Sequence, residues 1–168
     1  MSAYTTSSTI QSRHLGDWIA SISLLPICAY YVFKGSETTI LDTLCMLVFD
    51  AGRLLAGSVS APLMHLGGAV MLVLLPLLLV WYFAAHGYRF GMQVFLFWLG
   101  QDLVFLGRTA ISVHGRRPEL LDAYQFDVHS ILSFVQLVPT AEVIGQTLFM
   151  LGTVAFVTLL ILPLYVPR

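Results

Sequence analysis

AVMLVLLPLLLVWYFAA, residues 69–85, decides the fold. The run carries no charge and is broken only by Pro76. Together with the residues from Pro62 it makes a segment long enough to cross the hydrocarbon core, which takes about 20 residues at a rise of about 1.5 Å each. The rest of the chain has the same character. Of its 168 residues 58% are hydrophobic and 10% charged, with a mean hydropathy of +0.85. An average soluble domain carries about 25% charged residues. Eight basic and nine acidic side chains cannot cover a water-facing surface of this size.

Working outward, His86-Gly87-Tyr88-Arg89 reads as a turn, followed by an apolar segment from about Phe90 to Val113. The polar stretch from His114 to Gln125 leads into a shorter amphipathic piece, about Phe126 to Val138, which Pro139 ends. A last segment runs from about Glu142 to Tyr165. Upstream, a tiny loop at Ser58–Ala61 precedes Pro62, a proline tolerated at a helix start. Before that loop lie a segment from about Thr39 to Gly57 and a first one from about Asp17 to Phe33, which contains Pro26. Residues 1–16 form a polar N-terminal segment, and residues 17–168 a single transmembrane helical domain. The first apolar run has no small-residue cleavage site after it and reads as a retained helix. The expected fold is all-α: a multi-pass transmembrane helix bundle of about five spans plus one short amphipathic helix, interfacial or re-entrant. In lipid every backbone polar group must be bonded internally, which leaves helices for such segments.

Cys28 and Cys45 sit in apolar stretches without a CxxC pair, so no disulfide framework or thiol metal site is expected. The net charge of −1 gives no reason to expect nucleic acid. Basic residues divide almost evenly between the two sides, so the positive-inside rule does not set the orientation. There is no phosphate-binding glycine loop, no GxSxG and no Ser–Lys dyad.

The informative residues are the ionisable ones at membrane depth, each costing about 2.5–3.5 kcal/mol on insertion scales. Asp50 and Arg53 are three apart, share a helix face and can pair. Gln101, Asp102 and Arg108 form a second polar set on the fourth segment; Asp102 and Arg108 do not share a face, so each is expected to meet another helix. A contact from Asp102 to Arg53 would let the arginine bridge two carboxylates. His65 reads as an interfacial histidine near a helix end. Its Ala61-x-x-x-His65 spacing resembles that of pigment-binding helices of light-harvesting polypeptides. Gly100 and Gly107, seven apart, with Gly145 and Gly152, point to close helix packing, within the subunit or against a partner.

The stretch Phe49-Asp50-Ala51-Gly52-Arg53 resembles the zinc helix of site-2-protease-like membrane metalloproteases, where the pattern is His-Glu-x-x-His, often His-Glu-Ala-Gly-His. There the two histidines hold zinc from one helix face and the glutamate is the general base. Phe49 and Arg53 stand where the histidines would be, and Asp50 where the glutamate would be. Phenylalanine has no lone pair and arginine is permanently charged, so neither binds zinc. The resemblance therefore implies a lost metal site, with an ion pair in place of the metal. It also implies a later acidic ligand, for which Asp127, beside His129, is the nearest residue.

On this reading the chain has no catalytic residues and no cofactor, zinc and pigment being disfavoured. It is expected to be an accessory or scaffold subunit packing against membrane lipids and other integral membrane subunits, in a larger complex, a bioenergetic one (respiratory or photosynthetic) being compatible, of a bacterial cytoplasmic membrane or its invaginations. The alternatives are an intramembrane zinc enzyme with altered ligands, and a small transporter or proton-conducting protein using Asp50, Arg53 and Asp102.

Overall fold

The computed structural model describes residues 19, 22–33, 39–114, 116 and 123–165. The N-terminal segment 1–16, together with Arg117, Glu119 and Asp122, lies outside the described residues. Among the described residues the chain is helical, with no strand. We label the helices α1 (Ile22–Phe33), α2 (Ile40–Gly57), α3 (Ala61–Ala85), α4 (Arg89–Val113), α5 (Ala123–Phe134) and α6 (Ala141–Tyr165), the last preceded by a 3₁₀ turn at Val138–Thr140. Three of these are long and apolar enough to cross a membrane: Leu63–Ala85, Arg89–Val113 and Val138–Leu162. The described part of α1 is too short to cross, at about 18 Å. The 18 residues of α2 reach roughly 27 Å but include Asp42, Asp50 and Arg53.

Local chemistry sets the helix ends. Thr39 caps α2 in a reciprocal box: its hydroxyl accepts from the Asp42 amide, and Asp42 Oδ2 accepts from the Thr39 amide at 2.7 Å. Such a box satisfies two otherwise orphaned donors. Tyr31 Oη, 2.6 Å from Thr39 Oγ1, ties α1 to the same cap. Asp42 is thus a capping residue. Pro62 falls in the first turn of α3, and the α3–α4 turn uses Gly87 at φ +71°.

The bundle is held by close backbone approach. Along α4 and α6 Gly100 faces Gly152 and Gly107 faces Gly145, so the two helices run antiparallel. A Cβ on Gly107 would sit 2.7 Å from the Gly145 carbonyl oxygen, and one on Gly152 2.7 Å from that of Gly100. In lipid, where apolar burial gives little drive between helices, such contact is what joins them. The glycines singled out in the sequence are therefore used inside the subunit. Gly52 and Gly67 make the corresponding contact between α2 and α3. The outer face of α3, with Leu66, Val70, Leu74, Leu78 and Trp81 exposed, is apolar.

α5 corrects the expectation of an amphipathic helix over residues 126–138. It begins and ends earlier, at 123 and 134, and its buried face mixes apolar residues with one carboxylate. Asp127, Val128 and Leu132 are buried, while Phe126 and Phe134 are 45% and 83% exposed. Asp127 turns inward, where Arg53 and His65 partner it.

Candidate functional site

The α2–α3 turn brings the site together. α2 ends at Gly57 and α3 begins at Ala61, so Arg53 and His65 stand at matching distances from the turn on antiparallel neighbours. α5 lies across this end and lowers Tyr124 and Asp127 onto them.

Asp127 is the centre. Its side chain is 2% exposed. Arg53 Nε lies 3.1 Å from Oδ2, and His65 Nδ1 lies 2.6 Å from Oδ1. The first contact does not have hydrogen-bond alignment, so its attraction is ionic. The second is a hydrogen bond, read here as an imidazole N–H donating to the carboxylate. Arg53 Nη1 also approaches Asp50 Oδ1 at 3.7 Å, and Tyr124 Oη donates to Asp50 Oδ2 at 3.4 Å. Arg53 thus stands between two carboxylates, as the sequence suggested, but the second is Asp127 and not Asp102. The expected Arg53–Asp102 bridge is corrected: among the described residues the acidic partners of Arg53 are Asp50 and Asp127. Phe49 is wholly buried beneath, edge-on to the Tyr124 ring at 5.4 Å.

The outer edge of the cluster is open. Asp50 is 48% exposed, Arg53 27% and His65 30%. Asp50 lies about 10 Å along α2 from the turn, at roughly 1.5 Å per residue.

The other polar residues of the spans do not join this centre. Asp102 is wholly buried on α4, with Cys45 and Trp98 as its polar side-chain neighbours and neither oxygen in a hydrogen bond of ordinary geometry among the described residues. Beside it, Gln101 Nε2 donates to Cys45 Sγ at 3.3 Å. Arg108 turns to α1 and α6, donating to the Val32 carbonyl at 2.9 Å with its guanidinium over the Phe149 ring. Asp102 and Arg108 do meet other helices, as their spacing requires. His129, on α5, is half-buried and takes no part in the Asp127 contacts.

These donors do not suit a zinc ion. The Arg53 guanidinium occupies one flank of Asp127, His65 spends Nδ1 on the other, and Phe49 offers nothing. Among the described residues no three His, Cys, Asp or Glu side chains are grouped closely enough to hold a metal.

Two members were not placed in it by the sequence reading: His65, taken there as an interfacial histidine, and Tyr124. His65 was within reach of it: a connection of three residues makes α2 and α3 antiparallel neighbours, and counting out four from each end pairs 53 with 65. Nothing in the sequence announced Tyr124, because the connection before α5 fixes no register. No protein-family model, curated protein or solved structure matches the chain.

Proposed function

We propose that this chain is a non-catalytic integral membrane subunit that packs against other membrane proteins, and that its centre is a metalloprotease-like site in which Arg53 has taken the place of the metal. The resemblance of the Phe49–Arg53 helix implies that a later acid should meet the position of the second histidine. Asp127 Oδ2 lies 3.1 Å from Arg53 Nε, which supports that reading. A guanidinium supplies the positive charge that a metal would have brought to a buried carboxylate, and none of its Lewis acidity. In this reading the first apolar segment and α2 also cross the bilayer, giving five spans with α5 as the non-spanning helix.

The observation that carries the accessory role is the open edge at Asp50, Arg53 and His65. Charged groups at membrane depth face the protein interior or a watery cavity. A neighbouring subunit covering this edge would complete that interior. Large aliphatic and aromatic side chains are exposed along the described helices, suited to lipid or to further helices.

The test is purification in a mild detergent with identification of whatever co-elutes. The accessory reading expects a stoichiometric integral membrane partner, photo-cross-linked from position 50 and not from position 74 on the aliphatic face of α3. A lone monomer with no cross-link at position 50 would overturn it.

A further inference from the structure

The open edge of the charged cluster has a sign and a depth, and together they narrow what can cover it. Two carboxylates share one guanidinium there. The guanidinium lies closer to the buried acid: Arg53 Nε is 3.1 Å from Asp127, whereas Nη1 is 3.7 Å from Asp50. His65 is committed to Asp127 as well. Asp50 is the most exposed of these four residues, at 48%. It keeps only the weaker share of Arg53 and a 3.4 Å contact from the Tyr124 hydroxyl. What the cluster turns outward is therefore a negative charge.

The depth follows from the contact between α2 and α3. Gly52 presses on Gly67 and Met71, so Asp50, two residues farther from the turn, is level with residues 69–71. That is roughly 10 Å inside the apolar stretch Leu63–Ala85, at about 1.5 Å per residue. A lipid amine at headgroup level does not reach so far in. The surface around Asp50 is that of a helix contact. Leu47 and Leu54, three residues before it and four after, share its face and are exposed. Ala51 beside it is also exposed, and small enough to let another helix come close.

We propose that this edge is the docking site for a transmembrane helix of a different membrane subunit, one that carries a lysine or arginine opposite Asp50. The inference rests on the accessory role and gives it a chemistry. A charge at membrane depth is carried facing a partner or water. A basic side chain set among apolar ones matches both the carboxylate and the leucines that flank it. A second copy of this chain does not supply that cation, because Arg53 and Arg108, the described basic residues at membrane depth, are already engaged inside the subunit.

The test uses a defined probe. The full chain, with a photoreactive residue at position 54, is reconstituted in phosphatidylcholine vesicles with a leucine–alanine transmembrane peptide of about 20 residues. The peptide bears one lysine roughly 10 Å from its end, and peptides with glutamine or leucine at that place are the controls. In a peptide titration the wild type is expected to bind the lysine peptide about thirtyfold more tightly than the leucine one, the low end for truncating one side of a buried charge pair. Asp50→Glu keeps the preference and Asp50→Asn loses it. Equal binding of the lysine and leucine peptides by the wild type, or an Asp50→Asn variant that keeps the preference, would overturn the proposal. So would a glutamine peptide bound as well as the lysine one, or two copies of the chain cross-linked through position 54 in place of the peptide. Should Asp50→Asn not fold, the wild type with its three peptides decides the matter. A subunit that co-purifies with a chain lacking the lysine preference sinks this inference and leaves the accessory role standing. A lone monomer on purification, whatever its peptide preference, ends both.

Discussion

Replacing Arg53 with leucine probes the centre of the molecule. The substitution keeps an apolar side chain beside Phe49 but removes the cation from a carboxylate that is 2% exposed. At an effective dielectric of about 20, unit charges roughly 4 Å apart attract by about 4 kcal/mol before desolvation is counted. Breaking a buried pair from one side typically costs about 3–5 kcal/mol, because the remaining charge stays buried and uncompensated. Here the arginine is 27% exposed and His65 still holds Oδ1, which places the expected loss at the lower end, about 3 kcal/mol. For a chain of this size that corresponds to a fall of about 6–12 °C in Tm. The buried free thiols of Cys28 and Cys45 provide the assay, since a thiol-reactive fluorophore reports their exposure as the detergent-solubilised protein is heated. The double variant Arg53→Leu/Asp127→Leu removes both charges and should recover most of the loss, as buried pairs exchanged for apolar side chains often do. The reasoning is refuted if Arg53→Leu stays within about 0.5 kcal/mol of wild type, the range of an uninvolved surface change. It is refuted equally if the double variant is less stable than either single one.

Two glycine substitutions separate crowding from backbone strain in the same thermal assay. Gly107→Ala pushes a methyl group against the Gly145 carbonyl and the Phe149 amide, and should cost about 1–3 kcal/mol by overpacking α4 on α6. Gly87→Ala meets no atom within 4 Å, so its cost, about 1–2 kcal/mol, should come from φ +71° alone, and Gly87→Asn should be milder. Equal losses for alanine and asparagine at position 87 would contradict that assignment.

Helix positions were legible in the sequence because hydrocarbon thickness and proline and glycine punctuation constrain them strongly. The segments from Thr39 to Gly57 and from Phe90 to Val113 match α2 and α4 to within a residue. α5 was less legible. Its buried face carries Asp127 alongside Val128 and Leu132 while Phe126 and Phe134 are exposed, and periodicity alone does not say which side of so mixed a helix is buried. The Asp50–Arg53 pairing followed from spacing along one helix. The shorter contact, Arg53 to Asp127, joins residues far apart in sequence, and only the resemblance named Asp127. Asp42, an acidic residue on the second apolar segment, is half of a capping box, which Thr39 three residues before it could have signalled. The glycines were read correctly as sites of close packing, but whether that packing lay within the subunit required the register of α4 against α6.

The central claim is that a guanidinium stands where the resembling enzymes hold zinc. Metal content per chain tests it most directly, measured by inductively coupled plasma mass spectrometry on protein expressed in zinc-supplemented medium and purified without chelator. The account predicts zinc far below one per chain, unchanged by Asp127→Ala. One zinc per chain, lost on Asp127→Ala or His65→Ala, would contradict it and return the chain to the class of metal-dependent enzymes.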